Sequence, residues 1–138
     1  MKVYAVIDTN VLVSALLARH PDSAPVQVLD FMFSRNIIPL YNDEIIAEYN
    51  EVLQRPKFKF PSNEIAFVVT AIIEGGIDSI KVKSMDNIPD PKDVVFYEVA
   101  MSREDSYLVT GNVKHFPVVK RVVTPKEMID ILNSSDED

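Results

Sequence analysis

Val3-Tyr4-Ala5-Val6-Ile7-Asp8-Thr9-Asn10-Val11 is the stretch on which the fold turns. Apolar, largely β-favouring residues run from Val3 to Ile7 without polar alternation and stop at Asp8-Thr9-Asn10. A strand exposed on one face alternates, so an unbroken run of this length predicts a parallel strand covered on both faces. Asp8 then stands at its carboxyl end. In open α/β sheets, ligands bind outside the carboxyl ends of the strands, where the strand order reverses. That makes Asp8 the first candidate functional residue, with a helix-cap role for Asp8, Thr9 or Asn10 as the structural alternative.

Downstream, the periodicity predicts helices over residues 11–18 and 25–35, with Leu29, Met32 and Phe33 on one face of the second, then a strand over 36–41. Asn42 reads as an N-cap, with Asp43 and Glu44 in the first turn and Ile45, Ile46, Tyr49, Val52 and Leu53 at helical spacing before Pro56. A fourth helix begins at Ser62-Asn63 and stops at Gly75-Gly76. Residues 77–82 read as a third strand, 93–101 as a helix, 107–110 as strand four and 121–123 as strand five. Thr124-Pro125-Lys126-Glu127 is a capping box with proline at the first helical position, so a last helix follows. Strands alternating with helices predict an α/β fold of three layers, α/β/α, around a parallel sheet. With 138 residues, no repeat and no linker-like segment, one domain is expected over residues 1–133, followed by an acidic tail, residues 134–138.

Composition narrows the chemistry. The chain has no cysteine, which removes disulfides, thiolate zinc sites and thiol nucleophiles, and fits a cytoplasmic protein. Asp8 interrupts the opening apolar run too early for a signal h-region, and no other run approaches membrane-spanning length, so no membrane role is expected. The formal charge is −7, and it stays negative without the tail acids. That sign gives no general attraction to nucleic acid, so such a partner needs a local handle.

Besides Asp8, two acids stand out. Glu48 lies about 100° from the centre of its helix's apolar stripe, beside Ile45 and Val52, where a side chain can run along the core toward a cleft or simply meet solvent. Asp90-Pro91-Lys92-Asp93 reads as a helix start; the cap role accounts for Asp90, whereas Asp93 in the first turn could also hold a cation. Thr110-Gly111-Asn112 ends strand four, and Asn112 and Thr110 share the sheet edge of Asp8 if strands one and four are neighbours. Asp105 lies before that strand, about 16 Å away at the other end, and ranks below Asn112 as a site residue. Carboxylates without cysteine and with only two histidines describe a hard-oxygen site suited to Mg²⁺ or Mn²⁺. Such an ion relieves the repulsion between acids, binds phosphate oxygens and activates water, which points to phosphodiester hydrolysis.

In these features the chain resembles the PIN-domain ribonucleases, particularly the VapC-like toxins of toxin-antitoxin pairs. The likeness rests on Val-Ile-Asp-Thr-Asn-Val-Leu around Asp8, the helical Glu48, Asp-x-x-Phe-x-x-x-Ala from Asp93 to Ala100, and Thr110-Gly111-Asn112 closing strand four. The resemblance implies a five-stranded parallel sheet in the order 3-2-1-4-5, with Asp8, Glu48 and Asp93 as catalytic, magnesium-binding acids. It also implies an RNA substrate, an antitoxin partner and a homodimer. Many relatives carry a fourth acid where this chain has Asn112, a neutral oxygen ligand at best, which lowers the expectation of a second metal; Asp105 is the other contender for that place.

Arg55-Pro56-Lys57-Phe58-Lys59-Phe60 interleaves bases with aromatics, a pattern that grips phosphates and stacks bases or, alternatively, a helix-end charge cluster whose rings pack inward. Lys114 is a second basic candidate. His115 falls near the proposed cleft, where structural hydrogen bonding is its simplest role. A phospho-acceptor receiver domain is disfavoured because Asp8 is followed by Thr9 and the third predicted strand ends in Lys81-Val82-Lys83. A phosphatase beginning Asp-x-Asp is excluded by Asn10. The remaining alternative to a nuclease is a non-catalytic binding module on the same scaffold, acting through protein or RNA contacts.

Overall fold

The computed structural model describes residues 2–134. Of the tail expected over residues 134–138, Ser134 belongs to the last helix and 135–138 lie outside the described residues. Twelve elements follow in chain order: β1 (Val3–Ile7), α1 (Thr9–Leu17), α2 (Ala24–Phe33), β2 (Ile37–Tyr41), α3 (Asp43–Leu53), α4 (Ser62–Gly75), β3 (Ile77–Asp78), α5 (Pro91–Ala100), β4 (Ser106–Val109), a 3-10 turn (Val113–His115), β5 (Val122–Val123) and α6 (Pro125–Ser134).

All strand pairs are parallel and the sheet order is β3-β2-β1-β4-β5, the order that the resemblance implies. β1 is central, with Val3 opposite Ile37 of β2 and Ile7 opposite Val109 of β4. Ala5, Val6 and Ile7 are all fully buried although successive side chains point to opposite faces, so both faces are covered. α5 rests on β1, β2 and β4 and touches α3, whereas α2 rests on β2 and touches α1, α4 and α6. Chain order reverses direction at β1, between the crossovers that build β2 and β3 on one side and those that build β4 and β5 on the other. The carboxyl ends of β1 and β4 therefore frame the crevice that such a reversal creates.

Local signals account for most boundaries. Asn42 caps α3 through its side-chain oxygen, which accepts from Ile45 N at 2.9 Å. Asp90 does the same for α5, accepting from Lys92 N at 2.9 Å, as its cap reading predicts. At α6 the capping box closes reciprocally: Glu127 N donates to Thr124 Oγ1 (3.1 Å) and Thr124 N to Glu127 Oε1 (2.9 Å).

One expectation is corrected. The third strand was expected over residues 77–82, but pairing covers only Ile77 and Asp78, with Ser79 N adding one bond to Tyr41 O at 2.7 Å. The chain then leaves the sheet edge to lie on α5, where Val82 N donates to Glu98 O at 3.1 Å. An edge strand has a partner on one side only, and a buried helix with a free carbonyl competes successfully for its backbone.

Gly76 marks the entry to β3, and its backbone there is extended (φ −108°, ψ −169°). A Cβ at this position would lie 2.3 Å from Pro39 O and 2.5 Å from Ile72 O, both backbone atoms that cannot swing away. Gly76→Ala should therefore destabilise the protein by about 1–3 kcal/mol or more. Urea denaturation would show it, and an unchanged midpoint would contradict the packing described.

Candidate functional site

Asp8 is the residue between β1 and α1, with extended backbone at the helix N-cap position (φ −65°, ψ 144°), yet its side chain makes no cap bond. The carboxylate instead turns across the sheet seam. Its Oδ2 accepts from Thr110 Oγ1 at 2.8 Å and from Asn10 Nδ2 at 3.1 Å. Thr110 Oγ1 in turn accepts from Asn112 N at 3.0 Å, and Asn10 Oδ1 accepts from Gly111 N at 3.0 Å. The segment after β4 is thus stitched to the β1–α1 turn by three side chains. Gly111 fits this stitch closely, since a Cβ there would stand 3.3 Å from Asn10 Oδ1.

Asp8 is buried, at 6% exposure, and Thr110 fully so. Burial raises the Asp8 pKa, while the donors from Thr110 and Asn10 and the neighbouring backbone pull it back. Each hydrogen bond to an ionised group contributes about 1.5–3 kcal/mol, against a desolvation penalty of similar or larger size. Beneath this turn, the Tyr49 hydroxyl of α3 donates to the Ile7 carbonyl. Burial first, and the nearby Asp8 charge second, push the Tyr49 pKa far up, so this phenol stays a donor.

Asp93, in the first turn of α5, faces the same crevice. Its pKa is pushed up to about 6, first by burial, then by the negative charges of Asp8 and Asp90, with His115 opposing. Asp93 Oδ2 is buried and has no hydrogen-bond partner; His115 Nδ1, on the 3-10 turn, stands 3.6 Å away, beyond hydrogen-bond reach. Two carboxylates that feel each other, one with an orphaned oxygen, form a donor set that fits a hard divalent cation, which for Mg²⁺ commonly needs only one or two protein acids.

Glu48 does not join this pair. It is half-buried on α3 and lines a neighbouring cavity of about 300 Å³ together with Glu44, Lys81, Pro91, Lys92, Val94, Val95 and Glu98. Among the described residues, no three Asp, Glu or His side chains lie close enough together to hold one ion. The structure brings Asp8 and Asp93 together as a coupled pair and places Glu48 in the lining of the adjoining cavity. Asn112 is exposed and enters the network through its backbone amide alone. Asp105 sits at the amino end of β4, exposed and paired with Arg103 at 3.1 Å, in a cavity with Lys2 and Tyr4. Arg55 pairs with Glu51 (3.0 Å), Lys57 lies 5.1 Å over the Phe58 ring, and Lys59 and Lys114 are exposed.

Sequence reasoning missed Glu98. It is buried at 8% exposure, and its Oε2 accepts from Ser84 N at 2.7 Å. The signal was present, because Phe96-Tyr97-Glu98-Val99-Ala100 is apolar on every side except for this acid, and a helix apolar all round is a buried one.

The PIN domain family model matches residues 4–114 of the chain. An uncharacterized protein of Methanocaldococcus jannaschii is 28% identical over 145 aligned positions, covering 94% of this chain and 92% of that one.

The raised Asp93 pKa has a stability consequence. Its ordinary value is 3.8, so between pH about 4 and about 6 the folded chain holds the proton more tightly than the unfolded one. Stability from this group is thus highest below that window and is lost as pH rises through it. In chelator-treated protein, Asp93→Asn should raise the melting temperature at pH 7.5 and leave it unchanged near pH 4. A lower melting temperature at pH 7.5 would refute the repulsion described.

Proposed function

The chain belongs to the PIN-domain family, whose members are usually nucleases and typically bind a divalent metal, and on that premise we propose that it is a metal-dependent endoribonuclease cutting RNA phosphodiester bonds. The observation that carries the reading is the buried Asp8 whose charge bears on the half-buried Asp93 at the carboxyl edge of the sheet.

Asp8 and Asp93 would hold Mg²⁺ or Mn²⁺. The bound cation would contribute Lewis acidity at a phosphoryl oxygen and lower the pKa of a water. The chain's own groups do the rest. Thr110 and Asn10 fix the rotamer of Asp8 through its Oδ2. Tyr49 anchors the carbonyl just before Asp8. His115 offers a nearby partner for Asp93, and the exposed Asn112 would orient substrate oxygens at the rim.

Relatives of VapC type pair a nuclease with an antitoxin and assemble as homodimers; both are proposals for this chain, as is a cytoplasmic setting. No described helix is long and apolar enough to cross a membrane. A second reading, a binding module that does not cut, draws support from the separation of Glu48 from the Asp pair and from the neutral Asn112.

With Mn²⁺, the protein should cleave single-stranded RNA, chelator should stop it, and Asp8→Asn or Asp93→Asn should slow it by at least about 100-fold. A variant that cuts as fast as the parent overturns the assignment. Calorimetry separates the second reading: a chain that takes up no Mn²⁺ and leaves RNA intact is a scaffold.

A further inference from the structure

We propose that the cleft between α3 and α4 is a base-recognition subsite for single-stranded RNA, taking a nucleotide that flanks the scissile phosphate. This rests on the nuclease reading but uses none of its acids. The cleft is about 410 Å³ and is lined by Asn50 of α3 and its C-cap Gln54, Ser62, Ile65 and Ala66 of α4, and Phe60 from the connection. Its size lies in the range of about 300–1,000 Å³ common to small-ligand sites.

Three observations point to a nucleobase. First, the polar lining is neutral and bifunctional: each amide offers donors and an acceptor, the combination that reads a Watson–Crick edge. Gln54 and Ser62 are exposed and Asn50 is half-buried, so these groups are open to a ligand. Second, the connection supplies a stacking platform. Phe60 lies parallel to Phe58, with ring centroids 5.2 Å apart and 9° between planes. The arrangement depends on Lys59, whose φ of 55° is left-handed, a conformation costly for a side chain with a Cβ and concentrated at functional sites. That turn lets two rings separated by one residue lie on the same side. Third, residues 55–60 carry three positive charges and no negative one in a chain of net charge −7. Lys57 and Lys59 are exposed beside the stack, placed as backbone phosphate handles next to a base site.

The position suits a flanking nucleotide. Gln54 lies five residues beyond Tyr49, whose hydroxyl meets the carbonyl next to Asp8, about 7.5 Å along the axis of α3. Bases on a strand leaving the crevice along this helix would pass the cleft. An apolar peptide would leave the amides unsatisfied, whereas a base pairs with them and extends the ring stack.

The test measures binding separately from cutting. Labelled rA10, rC10, rG10 and rU10 are titrated onto full-length protein carrying Asp8→Asn, which blocks cleavage. One homopolymer should bind about tenfold tighter than the weakest, and Asn50→Ala with Gln54→Ala should bring all four within about threefold. Lys57→Ala with Lys59→Ala should instead weaken all four by a common factor and lower the salt slope by roughly 1 to 2. Thermal melting checks that each variant folds; if the alanine pair unfolds, Gln54→Glu should invert the ranking by exchanging donors for acceptors. Equal affinity for all four RNAs, no binding to any of them, or a ranking that survives loss of both amides overturns the subsite. A ranking that behaves as expected in a protein whose Asp8-intact form cuts no RNA supports the subsite and sinks the nuclease.

Discussion

The Asp8 carboxylate, gripped by Thr110 and Asn10 across the seam of β1 and β4, is the contact on which the rest of the site depends. A charge taken out of water is costly unless donors replace the lost solvent. Here those donors come from a residue 102 positions away in sequence and from one two positions on. Both exist in place only when β1 and β4 are paired in register, with Asp8 N also donating to Val109 O at 2.9 Å. The central strand pair and the polar site are therefore one cooperative unit, and the sheet cannot slip without stranding a buried charge.

From that unit the remaining geometry follows. Because Asp8 is compensated by neutral donors only, its charge is not cancelled, and it reaches Asp93 on α5 and Tyr49 on α3. Tyr49 answers by remaining a phenol that donates to Ile7. Asp93 has no such donor: an orphaned oxygen and a histidine just out of hydrogen-bond range leave it the destabilised member of the pair. A site with surplus negative charge at its centre and a basic, aromatic segment beyond α3 is polarised in the way a polyanion requires, even though the chain as a whole is acidic.

The fold was largely legible because its signals are local. Unbroken apolar runs gave the central strands, and Asn42, Asp90 and the Thr124–Glu127 box gave the helix starts through bonds that involve residues two to three apart. β3 was overestimated, since Lys81-Val82-Lys83 looks extended in sequence and only the competition from Glu98 O takes it off the sheet. At the site, strand-end logic located Asp8 and Thr110 at one sheet edge, whereas Asn10, read as a possible helix cap, turns out to grip Asp8. The spacing of Glu48 located its helix face but not its neighbour across it, because an angle around one helix does not say which of two adjoining cavities a long side chain enters. Glu98 was passed over for the opposite reason: the apolar residues around it signal burial, but its partner Ser84 N lies on a distant loop.

That loop makes α5 a lever. Glu98 takes Val82 N on its carbonyl and Ser84 N on its carboxylate, and the Tyr97 hydroxyl donates to Asp86 at 2.9 Å, so the long edge segment is clasped at three points near one end of a stiff rod. Asp93 rides on the same rod five residues earlier, about 7.5 Å along its axis. One helix thus carries both the anchor of the segment at 82–86 and one of the two carboxylates.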